Sequence, residues 1–384
     1  MWSSRLGMTI VGLALPVIVL AILVYTWYAY VFEVCVSTLM YNEPHRLPQL
    51  VVFLVFGCFF WLLSILSYFR VLFSCPGSPV KELPPCPISN QHTATSDPSQ
   101  LPRYCFSPSL FDLSRMRAVP LVSKTSIMSP AVSTSQPNGR PRYCNICDCL
   151  KPDRSHHCKD CNKCILKMDH HCPWINGCVG HGNYKFFLLF VLYTAIYALW
   201  VLATTIPVAV RAMTVENVEL NVHWIVLVVL AAVFGLMLTG FAVMHGYYVY
   251  YNRTTIESLA TRPQIVRIDF DASGSNFEVI SLVPEERIYD LGPRANWQAV
   301  MGKQVYGWFI PLYGGIGDGC IYPYSPRSYK TIVDSAIYQR ASRAANPNRS
   351  NPSQSNPPVH TIPHTSTTKR DNPDITITHE PDHL

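Results

Sequence analysis

Four long apolar stretches punctuate the chain, over residues 8–32, 50–69, 186–210 and 222–251, and none contains Asp, Glu, Lys or Arg. Each is near or above the roughly 20 residues that a helix needs to cross a bilayer. The pattern predicts an all-α polytopic membrane protein with four transmembrane helices. The first run is far longer than the roughly 7–15 apolar residues of a signal peptide, so it reads as an anchor. Trp27, Tyr28, Tyr30, Tyr184, Trp224, Tyr247 and Tyr248 stand near span ends, where amphipathic rings meet the headgroups. Pro207 is tolerated in a membrane helix because neighbouring groups satisfy the backbone it frees.

The polar segments differ from one another. Residues 75–140 are rich in Pro, Ser and Thr and show no sustained period, which predicts a disordered cytosolic linker. Residues 341–384 are similar and predict a disordered tail. Residues 252–340 hold enough Trp, Tyr, Ile and Val to fold against the membrane face, yet too little for a separate large core. Composition agrees with a membrane protein: 49% of residues are hydrophobic and only 14% charged. The net charge of +6 is modest and no basic aromatic stripe accompanies it, so nucleic acid is not an expected partner.

Charge placement sets orientation. Between spans two and three lie Lys81, Arg103, Arg115, Arg117, Lys124, Arg140, Arg142, Lys151, Arg154, Lys159, Lys163 and Lys167, whereas the loop between spans one and two offers only Arg46. Lys and Arg stay in the cytosol. The long middle segment is therefore expected there, and with four spans so are both termini.

Cysteine usage points the same way. Eight of the 14 cysteines fall between Cys144 and Cys178, mixed with histidine, a pattern of metal binding in a reducing compartment rather than a disulfide frame. The pairs Cys144-x2-Cys147 and Cys158-x2-Cys161 form knuckles that turn both sulfurs toward one ion. Setting aside Cys149 and Cys172 leaves six cysteines, and His157 and His171 bring the set to eight. That suffices for two closed tetrahedral sites, which are structural rather than catalytic. The count alone leaves Cys147 and Cys149 interchangeable.

The run Asp169-His170-His171-Cys172-Pro173-Trp174 resembles the DHHC cysteine-rich domain of protein S-acyltransferases (palmitoyltransferases), and the chain is most similar to fungal members. Supporting matches are Lys151 through Cys158, Asn176 through Gly180, Asn183-Tyr184, and Thr254-Thr255-Ile256-Glu257, which is similar to the family's TTxE motif. Asn296 through Pro311 resembles its C-terminal, membrane-capping motif. The resemblance implies a small zinc-bound domain of short β-hairpins over residues 141–185, holding two structural zinc ions. It assigns Cys144, Cys147, His157 and Cys164 to one site and Cys158, Cys161, His171 and Cys178 to the other. It implies that Cys172 takes a long-chain acyl group from acyl-CoA, such as palmitoyl-CoA, and passes it to cysteines of proteins at the cytosolic face. His170 would be its base and Asp169 the partner of that base. Tyr197 matches the residue that bounds the family's acyl cavity. Some fungal members act at the vacuole, which ranks that membrane above Golgi or ER.

Local geometry supports part of this. Alternate residues of an extended segment share a face, so His170 lies beside Cys172 while His171 points the other way, toward metal. Pro173 favours an extended Cys172. Strict alternation sends Asp169 away from His170, so a bend must intervene. Thr254, Thr255 and Glu257 are expected to dock the end of span four on the zinc domain. Two other classes compete. A membrane-anchored RING-type ubiquitin ligase leaves Asp169, His170 and Cys172 unexplained. A channel or transporter would carry charges inside its spans, where only His223 and His245 stand.

Overall fold

A computed structural model describes residues 2–42, 46–79, 130–215, 219, 221–271, 276–283, 286–312, 315–320, 322–345 and 359–360. Among these, four helical stretches are long and apolar enough to span a bilayer: Gly12–Ser37, Leu47–Phe73, Tyr184–Thr214 and Val222–Tyr250. The first belongs to α1 (Trp2–Tyr28), which runs on into a π-helical stretch, Ala29–Asn42. The others are α2 (Leu47–Phe73), α3 (Tyr184–Val215) and α4 (Val222–Tyr250). The first three helical stretches run beyond the expected spans into flanking residues, whereas α4 coincides with its expected span to within one residue.

Helix α3 is the most enclosed, packed between α2 and α4. Polar ties cross the bundle: Ser64 and Thr194 hydroxyls lie 2.6 Å apart, and the Tyr30 hydroxyl accepts from Trp200 Nε1 at 3.0 Å and Thr204 Oγ1 at 3.1 Å. The outer face carries exposed Leu236, Val243, Val229 and Val55. Bare aliphatic side chains around the bundle call for lipid rather than water.

Between α2 and α3 the chain folds into three two-stranded antiparallel hairpins: β2 (Tyr143–Cys144) with β3 (Cys149–Leu150), β4 (His156–Cys158) with β5 (Lys163–Ile165), and β6 (His170–Cys172) with β7 (Gly177–Val179). Each is too short to bury a core of its own. Gly180 and Gly182 bring this region against the end of α2. A Cβ on Gly182 would lie 2.3 Å from the Cys75 carbonyl oxygen, so only glycine permits the approach.

After α4 come α5 (Thr255–Leu259), β8 (Gln264–Asp269), β9 (Phe277–Leu282), α6 (Pro293–Met301) and α7 (Pro326–Ala345). Strand β1 (Ala131–Thr134) pairs antiparallel with β8, and a sheet of order β1-β8-β9-β10 results, with β10 (Val359–His360) parallel to β9. Val266, Ile268, Ile280, Leu282, Ile288, Ile332 and Ala336 form a buried core between this sheet and α7.

Two expectations need correction here. The segment 75–140 is not linker to its end, since Ala131–Thr134 is a strand whose Thr134 backbone N–H donates to Asp153 at 3.0 Å. Four residues are too few to show a period against a Pro/Ser/Thr background. Residues 252–340 hold a small core, which β1, drawn from before the zinc region, helps to complete. The expected tail of 341–384 likewise starts too early, since α7 runs to Ala345, and Val359–His360 within it is a strand; the rest of its expected disorder, and that of 80–129, lies outside the described residues.

Beyond α6 a short 3-10 turn, Val305–Phe309, runs along α3. Lys185 Nζ donates to Gly307 O at 2.6 Å, Tyr193 to Phe309 O at 2.6 Å and Arg70 to Leu312 O at 2.8 Å. Asn296 Nδ2 donates to Tyr250 O at 2.7 Å, capping the last turn of α4.

Candidate active site

The two knuckles have the same local build. Cys147 N–H donates to Cys144 Sγ and Cys161 N–H to Cys158 Sγ, both at 3.4 Å. The residue after each second cysteine, Asp148 (φ 52°) or Asn162 (φ 49°), is left-handed, a conformation Asp and Asn tolerate best among residues with a Cβ. Each turn leads into the returning strand of its hairpin.

The sulfurs gather in two clusters, Cys144, Cys147, His157 and Cys164, then Cys158, Cys161, His171 and Cys178. In the first, His157 Nδ1 lies 3.6, 3.2 and 4.0 Å from the three sulfurs. In the second, His171 Nδ1 lies 3.6, 3.4 and 3.7 Å from its three. A tetrahedral zinc with ordinary Zn–S and Zn–N bonds sets that edge at about 3.6 Å. Three thiols and one imidazole at this spacing fit zinc in both places. Cys149 is buried opposite Cys144 across β2–β3 and belongs to neither cluster, whereas Cys147 belongs to the first. The sites interleave: His157 and Cys158 are neighbours in β4 yet serve different clusters.

The third hairpin carries Cys172 and His170, the groups expected to react. In β6, His171 faces Cys178 while His170 and Cys172 share the other face. His170 Nδ1 meets Asp169 Oδ2 at 2.7 Å, and the Cys172 thiol is the neighbour of the imidazole on the face that the two residues share. Asp169 reaches the ring because it precedes β6 and escapes its alternation. Just upstream, Lys167 is left-handed, with φ 42°, where the chain turns from β5 toward β6. The Asp169 N–H is fixed by Val179 O at 2.9 Å.

Asp169 is 1% exposed and held from a second direction. Thr255 N–H donates to its Oδ1 at 2.9 Å and Thr255 Oγ1 to its Oδ2 at 2.8 Å. Burial opposes the charged carboxylate, but the His170 hydrogen bond and charge and the Thr255 N–H together keep its pKa below the ordinary value. For His170, burial opposes the imidazolium, and the hydrogen bonds to Asp169 and Cys172 outweigh it and raise the pKa to about 9.

Thr255 is itself anchored. Thr254 and Glu257 form a capping box at the start of α5. Arg154, 3% exposed, donates to both Glu257 carboxylate oxygens at 2.7 Å, to Asn252 Oδ1 at 2.9 Å and to Asn252 O at 2.8 Å. Its guanidinium lies 4.5 Å from the centre of the Tyr289 ring. The end of span four is thus docked on the zinc region as expected.

Cys172 opens onto an apolar cavity of 420 Å³ between α1, α3 and α4. Phe187, Val191 and Leu238 line its length, and Thr26, Tyr197 and Val201 lie deeper. Tyr197 is buried, 3% exposed, and not lipid-facing. A second, basic cleft of 270 Å³ lies beside α5, lined by Arg142, His156, Arg253, Arg262 and Arg287.

Two features were not legible in the sequence. The contact of Thr255 with Asp169 joins residues 86 positions apart, and the motif suggested docking without naming the acceptor. His245, at the centre of the aromatic packing around His170, shows in the sequence only as an ionisable residue within an otherwise apolar span, without the neighbours that give it a role.

Comparison with known proteins agrees with this geometry. A family model described as DHHC palmitoyltransferase matches residues 137–262. Human palmitoyltransferase ZDHHC20 is 33% identical over 316 residues, covering 82% of this chain and 77% of the relative. Human palmitoyltransferase ZDHHC2 is 30% identical over 313 residues, covering 80% and 75%. Zebrafish (Danio rerio) ZDHHC2 is 33% identical over 312 residues, covering 80% and 76%. This chain belongs to the DHHC palmitoyltransferase family.

Proposed function

We propose that the protein is an S-palmitoyltransferase that works through an acyl-enzyme on Cys172. The observation that carries this is the line Thr255–Asp169–His170–Cys172 ending at the mouth of an apolar cavity. A free cysteine has a pKa near 8.5, so only a few per cent is thiolate at neutral pH. His170 takes the Sγ proton, with Asp169 stabilising the imidazolium that forms. The sulfur attacks the thioester carbonyl of acyl-CoA, the bond to the CoA sulfur breaks, and that sulfur leaves with the proton held by His170. A substrate cysteine, deprotonated by the same imidazole, then attacks the acyl-enzyme and frees Cys172. Ping-pong kinetics follow from this scheme.

The cavity suits the acyl chain. From Phe187 to Tyr197 it follows α3 for ten residues, about 15 Å of helix rise. Each methylene kept from water there contributes about 0.8 kcal/mol. The arginines of the basic cleft are the groups we assign to the CoA phosphates, which guanidinium binds well. Two zinc ions, one per cluster, hold the three hairpins together, since hairpins this short lack a core. Metal analysis of the purified protein should find two equivalents.

The excess of Lys and Arg between α2 and α3 supports a cytosolic active site and cytosolic termini. Acceptors are then proteins at the cytosolic membrane surface with accessible cysteines. The compartment we assign is the vacuole membrane ahead of Golgi or ER, on the resemblance to fungal members, and imaging of the tagged protein checks it. The central test uses labelled palmitoyl-CoA. The purified protein should take up hydroxylamine-sensitive label, and Cys172→Ser should not. Full label on that variant would overturn the acyl-enzyme.

A further inference from the structure

One polar side chain at the catalytic end of the bundle has no task in the chemistry above. His245 lies in α4 and is 1% exposed. Its Nδ1 is 2.9 Å from the Tyr184 hydroxyl, at the start of α3, while its Nε2 is buried without a hydrogen-bond partner. Rings close in around it: Phe241 at 4.5 Å, Phe187 at 5.2 Å and Tyr248 at 5.7 Å between centroids. Simple packing would be met by a phenylalanine, and leaving an imidazole nitrogen bare among apolar rings is costly. A buried polar atom with no partner needs an explanation.

The explanation lies on the remaining side of the ring. One ligand atom each of Asp169, His170 and His245 lie within 4.8 Å of one another. The His170 and His245 rings are 5.9 Å apart, and Phe187 edges against both. Asp169 already accepts from Thr255 N–H, Thr255 Oγ1 and His170 Nδ1. An ionised carboxylate offers about four acceptor sites, so one remains. When the Tyr184 hydroxyl donates to Nδ1, the proton of neutral His245 sits on Nε2, which is then a donor beside an acceptor with a vacant site. At this separation a small shift of the ring or one bridging water would join them.

We propose that His245 is a positioning residue for acyl transfer: with Tyr184 fixing its tautomer, it supplies the fourth donor to Asp169 and holds the Asp169–His170 pair against Cys172 from the bilayer side. This rests on the acyl-enzyme reading above. It makes Asp169 a carboxylate gripped from both sides, by α5 from the cytosol and by α4 from the membrane. Both grips come from segments that no hairpin of the zinc region contains.

The test measures CoA release by the full-length protein in nanodiscs as palmitoyl-CoA is varied, with zinc content recorded for every variant. His245→Phe keeps the packing and deletes both nitrogens. It should lower kcat about tenfold or more, leave KM within about twofold and retain two zinc ions, the loss expected for one hydrogen bond to a charged group. His245→Gln, which restores a donor, should recover most of the rate. A His245→Phe enzyme with wild-type kcat, or a Gln variant as impaired as Phe, would overturn the proposal. If His245→Phe fails to fold, Tyr184→Phe decides: lower kcat at unchanged KM supports the role, and unchanged kcat sinks it. Absence of activity from the wild-type protein would instead defeat the acyl-transfer reading itself.

Discussion

The reactive cysteine owes its properties to what reaches it from elsewhere in the chain. Cys172 and His170 meet by strand alternation, a relation written in three consecutive residues. Asp169 joins them from outside the strand, with Thr255 pinning its carboxylate. The residues are therefore unequal in what their loss removes. Asp169→Asn keeps the shape but weakens support of the imidazolium, and acyl-enzyme formation should fall roughly 10²–10⁴-fold. Thr255→Val deletes one of three hydrogen bonds to the same group and should cost about tenfold. Rapid-quench labelling of Cys172 measures both, and equal rates for the two variants would show that Thr255 does more than orient. Tyr197 sits deep in the cavity, where a smaller side chain adds room for acyl carbons. Tyr197→Ala should shift preference toward longer acyl-CoAs in competition assays, and an unchanged profile would remove it from the cavity end.

At the scale of elements, the hairpins and helices are held by a few buried polar joints. Arg154 is the densest of these, with its guanidinium on Glu257 and Asn252 and over the Tyr289 ring. Arg154→Met leaves Glu257 without its partner and should destabilise the fold by about 3–5 kcal/mol, seen as a lower melting midpoint in detergent. Adding Glu257→Leu should recover part of that loss, since two apolar groups replace a broken pair. Elements also differ in how far the sequence reveals them. The spans are legible because twenty uncharged residues have few other uses. The knuckles are legible because Cys-x2-Cys spacing is set by metal geometry. Strand β1 was hidden because its four residues gain their meaning from β8, more than 120 positions later. His245 was hidden for a similar reason: its value depends on Asp169, which belongs to another element.

The whole molecule is a membrane bundle with a chemical head on one end. Its four spans place the hairpins, α5 and the β1-β8-β9-β10 sheet together on the side where Lys and Arg accumulate. Tags at either terminus should be open to protease in sealed vesicles of cytosolic-side-out orientation, while a tag between α1 and α2 should be protected. Protection of one terminus alone would mean an odd number of crossings.

The grip of Thr255 on Asp169 also has a consequence in time. Ribosomes deliver the chain from its N-terminus, so Cys172, His170 and both metal clusters emerge well before α4 and α5. During that interval Asp169 lacks the Thr255 contacts, Arg154 lacks Glu257, and the cavity lacks the wall that α4 provides. The Asp169–His170 pair thus gains its full support only once the last span is threaded, so the site is completed together with the topology of the chain.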